Sequence, residues 1–348
     1  MAGLCSAARC WSAFLDAVLA CCYDKYVKPN RTTHPGSAGP APDVSVIIVN
    51  WNLRDLLRRC LESVRLDSEG LNVETVVVDN DSTDGSAGMV ADEFPEAVII
   101  ANRENAGFGR ASNQGMEASR GRYLFFLNND ATLFEGALGR MVGYMEAHPE
   151  AGACGPRVVN PDGSLQVYSK GYYPSIPRII GQFFLPQGLR HPFGRSLGLY
   201  ESSDRMEARE FEWLSGCALL VRREAVEKVG SLNADVFMYC EDMDWCYRMR
   251  LAGWKVMYLP QAKVEHLGGQ SMKMQHGAAV GSHAAGLLAF YSRYHGVAAT
   301  AVFRAVLLAG YTVQAAGWLV AALFGRGGGL DKLRRVFRAG KQGRGGGK

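Results

Sequence analysis

Three short apolar runs, each ending in a cluster of Asn and Asp, constrain this chain more than any other feature. They are Ser45–Val49 into Asn50-Trp51-Asn52, Thr75–Val78 into Asp79-Asn80-Asp81, and Tyr123–Leu127 into Asn128-Asn129-Asp130. Runs of Val, Ile, Leu and Phe without alternation suit strands covered on both faces, as in a parallel sheet flanked by helices. In such sheets the ligand crevice lies outside the carboxyl ends of the strands. Polar residues at those ends therefore predict a binding floor, with Asp130 the candidate for a metal or a charged group.

The surrounding pattern supports that architecture. After a Pro/Gly/Ser/Thr-rich stretch from Lys28 to Asp43, read as a linker, strand and helix alternate. Helices are expected near Leu53–Val64, Ser86–Phe94 and Ala111–Ser119, with a strand at Ala97–Ala101. A helix from about Leu133 to Ala147 stops before His148-Pro149. This βαβ series predicts an α/β fold with a doubly wound, mixed but mainly parallel sheet and helices on both faces. Trp213–Val221 reads as a further buried strand, Arg223–Val229 and Asp242–Leu251 as helices, and Val256–Leu259 as the last strand. From Pro161 to Tyr200, Tyr and Phe mingle with Lys, Arg and Pro. That segment reads either as an irregular cover or as a wall for an extended, partly apolar acceptor.

The net charge of +4 over 348 residues is unevenly placed. From Arg326 to Lys348 eight Lys/Arg stand against Asp331 alone, which leaves −3 for the preceding 325 residues. A mildly acidic body argues against a nucleic-acid binder, which more often shows a basic folded face, whereas the basic Gly-rich tail suits an anionic membrane surface. Ala305–Phe324 holds twenty residues without a charge, just enough to span a bilayer. It could equally pack on the body or lie at the interface, and membrane contact of some kind is expected. The nine cysteines show no CxxC pair, which favours reduced thiols and a cytoplasmic body. Val18-Leu19-Ala20-Cys21 is a faint lipoprotein-like signal, but Asp16 interrupts its apolar stretch and a short amphipathic helix is expected instead.

Four groups of residues carry chemistry. Asp130 can reach solvent from a strand end, and a hard divalent cation such as Mg²⁺ or Mn²⁺ takes oxygen ligands of this kind; the same residues also suit a plain turn. Glu241, Asp242 and Asp244 crowd a helix start, where the dipole favours negative charge and where a carboxylate can also act as a general base. Asp79 can accept from a nucleobase or ribose, with Ser82, Asp84 and Gly85 as turn and helix-start residues. His266, ahead of two glycines, is a turn residue unless the fold brings it beside Asp130. Neither the GxGxxG dinucleotide fingerprint nor the GxxxxGK[ST] phosphate loop occurs. SVIIVNWN also lacks the Gly-rich basic loop of a nucleotidyltransferase.

Taken in order, SVIIVNWN, VVVDNDSTDGS, ENAGFGRASNQG, FLNNDATL, SGCALLVRR, CEDMDWCYRMRLAGW and VEHLGG resemble the family 2 inverting glycosyltransferases of GT-A fold. The similarity covers roughly residues 44–270 and is strongest to bacterial rhamnosyl- and galactofuranosyltransferase-like enzymes. With the composition shifts on either side it divides the chain into four regions: an N-terminal segment to residue 43, a catalytic domain over 44–270, a C-terminal helical segment over 271–324, and the tail. It also implies transfer of a sugar from a nucleotide-diphosphate donor, with a divalent metal, to a hydroxyl acceptor; the hydrophobic and basic C-terminal segments point to a glycan or polyprenyl-linked acceptor at the inner face of the cell membrane. Carried onto this chain, Asp79 would hold the base, with Asn50, Asn80, Asn105, Gly107, Asn113 and Asn129 lining the donor pocket. Asp130 and His266 would hold the metal, Asp242 would be the catalytic base and Glu241 its acceptor-side neighbour. Asn128 stands where the family carries its first acid, which leaves a non-catalytic nucleotide-sugar-binding scaffold as the alternative. With no QxxRW motif and no multi-span region, a processive synthase is not expected.

Overall fold

A computed structural model describes residues 41–186, 189, 197–234, 239–268 and 278–323. The expected α/β class is the one observed. Strands β1 (Val44–Asn50), β2 (Val73–Asp79), β3 (Val98–Ala101) and β4 (Tyr123–Asn128) alternate with helices α1 (Arg54–Asp67), α2 (Ser86–Glu93) and α3 (Phe108–Ala118). These four strands are parallel in the order β3-β2-β1-β4. Register sets Asn50 beside Asp79 and Val49 beside Asn128, so the polar strand ends form one row.

Beyond β4 the sheet is mixed. It continues through β10 (Ala218–Arg222), β6 (Ala151–Val159), β11 (Lys255–His266) and β5 (Ala131–Leu133), with β8 (Arg209–Glu210) paired to β11. A separate two-stranded pair joins β7 (Lys170–Gly171) to β9 (Trp213–Leu214). Strand β10 runs antiparallel to both β4 and β6, while β11 runs parallel to β6. The amino end of β10 and the carboxyl end of β11 therefore reach the same sheet edge as Asn50, Asp79 and Asn128.

Both faces are buried, as uninterrupted apolar strands require. Val46, Ile48, Phe125 and Leu127 point to one face, under α1, α2 and α4 (Ala137–Ala147). Ile47, Leu124 and Phe126 point to the other, which packs on α7 (Glu241–Leu251), α8 (Ala278–Tyr294) and α9 (Val297–Leu323). Phe126 meets Trp245 edge-on at 5.3 Å, and the Trp245 indole N–H donates to Gly230 O at 2.8 Å. The remaining helices are α5 (Ile176–Phe184) and α6 (Arg223–Val229).

Several sequence expectations are corrected. Residues 131–133 form an edge strand paired with Val264–His266, so the following helix begins at Ala137 rather than Leu133. Trp213–Val221 is two strands broken at Ser215-Gly216-Cys217. The last strand runs twelve residues rather than ending at Leu259: a register shift between Leu259 and Lys263 accommodates Pro260, which cannot donate to a ladder. His266 is thus a strand residue, not a turn residue. Strand β6 had no counterpart in the sequence reading. The apolar C-terminal segment is the longer helix α9, whose Phe303 and Leu307 join the same core as Trp245 and Met249. The N-terminal cysteines and the basic tail lie outside the described residues. Cys60, Cys154, Cys217, Cys240 and Cys246 are free and buried.

Candidate active site

At the β1–β2 end of the row, side chains interlock. The Asn50 amide donates to Asp79 Oδ2 at 3.0 Å and to Ser82 Oγ at 3.1 Å, and the Ser82 N–H donates to Asp79 Oδ1 at 2.9 Å. Asn129 Nδ2 donates to Asn50 Oδ1 at 2.7 Å. Asp79, Asn50 and Asn129 are buried, so this network fixes the floor's geometry. A second network joins Asn80 Nδ2 to Asn105 Oδ1 at 3.3 Å and to Gly107 O at 3.4 Å, while Gly107 N–H donates to Asn105 Oδ1 at 3.0 Å. Gly107 has φ 81°, a left-handed value that favours glycine, and it opens α3. Asn113 stands apart from both networks: its amide donates to Leu232 O at 2.9 Å and accepts from Leu232 N at 3.0 Å, fastening the loop after α6. Asp84 serves helix starts, accepting from the N–H groups of Arg54 at 2.8 Å and Ser86 at 3.0 Å.

Asp130 and His266 meet at the other end. His266 Nε2 lies 3.1 Å from Asp130 Oδ1 and 3.1 Å from the Asn128 amide nitrogen. Antiparallel pairing of His266 with Ala131 brings them together across more than a hundred residues. Gln166 completes the arrangement. Its Oε1 lies 2.7 Å from His266 Nδ1 and its Nε2 donates to His266 O at 3.1 Å. Burial opposes charge on His266, but the neighbouring Cys217 sulfur and the Asp130 carboxylate outweigh it and push the imidazole up to about 10.

These residues fit a divalent cation that displaces the Nε2 proton, since His266 can ligate only as neutral imidazole. A metal-bound histidine commonly donates its second ring N–H to an oxygen, the relation Gln166 offers at Nδ1. Neighbouring ligands about 2.1 Å from an octahedral ion lie roughly 3 Å apart, the separation of Asp130 Oδ1 and His266 Nε2. Among the described residues no cluster of three or more His, Cys, Asp or Glu occurs, so phosphate oxygens and water would complete the shell.

The EDMD acids divide by environment. Asp242 is partly buried, and both its oxygens accept backbone N–H groups: Gly216 to Oδ2 at 2.9 Å and Met243 to Oδ1 at 2.7 Å. Glu241 is buried, and its Oε2 has no hydrogen-bond partner. Burial drives both carboxyls above their ordinary range, and for Glu241 the neighbouring Asp242 adds to it. Asp244 is a structural acid: Arg248 Nε donates to it at 2.9 Å and Tyr294 O–H at 2.6 Å.

Ser215-Gly216-Cys217 ties the halves together. Gly216 N–H grips Asp242, while Cys217 O accepts from Asn128 N at 2.9 Å. Backbone strain has the same address. Among the described residues the non-glycine positions with positive φ are Asn52, Leu53, Asp81, Tyr239 and Cys240. The first three follow β1 and β2, and the last two precede α7. Such strain concentrates where surrounding structure enforces a functional geometry.

A mixed, mainly parallel sheet with polar strand ends, an Asp–His pair and a backbone-gripped carboxylate on one edge defines a protein of the α/β class with its candidate site at the carboxyl ends of the strands. The chain belongs to glycosyl transferase family 2: the family model matches residues 45–230, more than half of its 348 residues. It is a glycosyltransferase. It is 30% identical over 239 residues to the N-acetylglucosaminyl-diphospho-decaprenol L-rhamnosyltransferase of Mycobacterium tuberculosis, covering 64% of this chain and 75% of that one. It is 31% identical over 175 residues to the succinoglycan biosynthesis protein ExoO of Rhizobium meliloti, covering 48% of this chain and 50% of that one. A solved structure, the mannosyltransferase PcManGT from Pyrobaculum calidifontis in complex with GDP-Man and Mn²⁺, aligns over 98% of this chain and 99% of its own. That alignment has 16% identity and a TM-score of 0.48.

Proposed function

We propose that this glycosyltransferase moves a rhamnose- or galactofuranose-like sugar, with inversion, from a nucleotide-diphosphate donor to a hydroxyl of a polyprenyl-linked glycan. The observation that carries the reading is Asp242. Its two oxygens are fixed by the N–H groups of Gly216 and Met243, and the same three-residue segment runs on to Asn128 beside the Asp130–His266 pair. The similarity to a decaprenol-linked rhamnosyltransferase supports the acceptor class.

In this mechanism Asp79 accepts from the donor's base or ribose, with Asn50 and Asn129 holding it in place. Asn80, Asn105 and Gly107 shape the wall at the start of α3, and Asn113 acts at one remove through Leu232. Asp130 and His266 would hold the divalent metal, which when bound supplies charge neutralisation for the departing diphosphate. Asp242 takes the acceptor hydroxyl proton as that oxygen bonds to the anomeric carbon. The bond from that carbon to the diphosphate oxygen breaks on the opposite face, and the electron pair leaves with the nucleotide. The raised Asp242 carboxyl is a stronger base than an ordinary aspartate. Glu241, buried next to Asp242, is assigned as its acceptor-side neighbour.

Residues 44–270 make up the catalytic domain, preceded by the linker and followed by the helical segment and the basic tail. By length and composition, Val297–Gly317 within α9 could cross a membrane. One face of α9 is nevertheless packed on the body through Phe303 and Leu307, and Tyr311 meets Phe183 of α5 at 4.8 Å, while Val302, Val313 and Val320 of α9 and Ile180 and Phe184 of α5 are exposed. That arrangement favours a helix lying along the inner face of the cell membrane, on the side of a lipid-linked acceptor.

The test is transfer. Purified protein is given nucleotide-diphosphate sugars and a short polyprenyl-diphosphate N-acetylglucosamine acceptor, with Mg²⁺ or Mn²⁺. Metal-dependent glycosylation of the acceptor is expected. Donor binding with neither transfer nor donor hydrolysis would replace this reading with the non-catalytic scaffold.

A further inference from the structure

We propose that Gly286 and His283 of α8 are positioning residues for the Asp242 base, holding the turn from which that base is presented. The inference rests on Asp242 being the base. Asp242 sits in the first turn of α7, and the chain enters that helix through Tyr239 and Cys240, at φ 74° and 69°. Two successive left-handed residues with side chains persist only where neighbouring structure over-determines them. The neighbour is α8.

Gly286 is the point of closest approach. A Cβ placed there would lie 2.6 Å from Tyr239 O, 3.0 Å from Cys240 Sγ and 3.2 Å from Cys240 Cβ. Tyr239 O is backbone, so any side chain at 286 must displace the turn or the helix. One turn earlier on α8, His283 meets the Tyr239 ring edge-on at 6.1 Å. Its two ring nitrogens lie 2.8 Å from Tyr200 O–H and 3.3 Å from Tyr311 O–H, so the ring is held from both sides. At the far end of α8, Tyr294 O–H donates to Asp244 Oδ1 at 2.6 Å. Helix α8 therefore fastens α7 immediately before its first residue and again within its first turn. Gly216 and Met243 N–H groups can grip Asp242 only while that turn keeps its place.

Gly286→Ala tests this, with Gly296→Ala as the control, since a Cβ at 296 meets nothing within 4 Å. A displacement of about 1 Å in a catalytic group costs on the order of 10²-fold in rate. Gly286→Ala is expected to lower kcat by about 10- to 100-fold, with donor affinity and KM for the donor essentially unchanged. Gly296→Ala is expected to match wild type. A folded Gly286→Ala protein with wild-type kcat overturns the proposal. So does a parallel loss of kcat and donor affinity.

Should Gly286→Ala fail to fold, a second pair decides. Gln supplies one donor and one acceptor, as neutral imidazole does, so His283→Gln is expected to retain kcat that His283→Leu loses; equal kcat in the two overturns the proposal. Turnover by Asp242→Asn is measured alongside. If that variant is active, the base assignment has failed, whatever α8 does. If it is inactive and the α8 variants are normal, only the positioning role has failed.

Discussion

Replacing Asp242 by Asn separates catalysis from stability, because catalysis should fall at every pH whereas the stability effect changes with pH. Loss of a positioned general base costs about 10²–10⁴ in rate, or roughly 3–5 kcal/mol of barrier. The stability effect has two parts. Asparagine keeps one acceptor oxygen, so one of the N–H groups of Gly216 and Met243 loses its partner, at about 1–3 kcal/mol. Against this, the substitution removes a carboxylate whose charge is disfavoured by burial and which sits beside Glu241.

The pH dependence follows from the direction of that shift. A carboxyl with a raised folded-state pKa favours the native state while protonated, and that contribution is lost as pH rises through the folded value. The Asn variant does not titrate there. Its melting temperature relative to wild type should therefore be more favourable at a pH well above the ordinary aspartate value of 3.8 than at a pH below it, while transfer stays at least about 10²-fold down throughout. In the wild type the acid limb of kcat should lie above the ordinary aspartate value of 3.8. Thermal unfolding at both pH values and initial transfer rates give the answer. Near-normal turnover would falsify the role of Asp242, and a melting difference that ignores pH would refute the burial argument.

Gln166→Leu removes the acceptor at His266 Nδ1 and should raise the Mn²⁺ concentration for half-maximal transfer about 10- to 100-fold; an unchanged midpoint in a folded protein counts against the metal assignment. Asp244→Ala strips Arg248 and Tyr294 of their shared partner and should destabilise the folded state by about 2–3 kcal/mol, read by denaturant titration, while nucleotide affinity stays put. If affinity falls instead, Asp244 is not purely structural. Val302→Asp with Val313→Asp should weaken co-sedimentation with anionic vesicles and leave transfer to a water-soluble acceptor intact. Sedimentation equal to wild type removes α9 from the membrane argument.

What the sequence made legible of the fold was the half built by local rules. Apolar runs between helical periods gave β1 to β4 and α1 to α3 with boundaries within a few residues, since a parallel sheet covered on both faces leaves little choice of residue. Strand β6 hid because Ala-Gly-Ala-Cys-Gly-Pro has little strand propensity. It is a strand because its neighbours demand small residues: a Cβ on Gly152 would sit 2.6 Å from Trp254 Cβ. Pro260 concealed the second half of β11 by mimicking a stop, where the ladder instead shifts register around it.

The candidate site divides along the same line. Asn50, Asp79 and Asp130 could be read because a strand end is a place as well as a sequence, and adjacent parallel strands put such ends side by side. His266 could be placed beside Asp130 only through the family resemblance. Its partner lies 136 residues away, and the antiparallel pairing of β11 with β5 that joins them has no local signature. Gln166 was missed for that reason: it lies in an irregular segment, and only the position of the His266 ring gives it a purpose. The EDMD acids show what burial adds to a motif. Composition makes them three equivalent helix-start carboxylates. In the fold, Arg248 and Tyr294 claim Asp244, Glu241 keeps a buried oxygen without a donor, and backbone N–H groups from two segments hold Asp242. Only the last is both held at its oxygens and partly open, which is what proton abstraction requires.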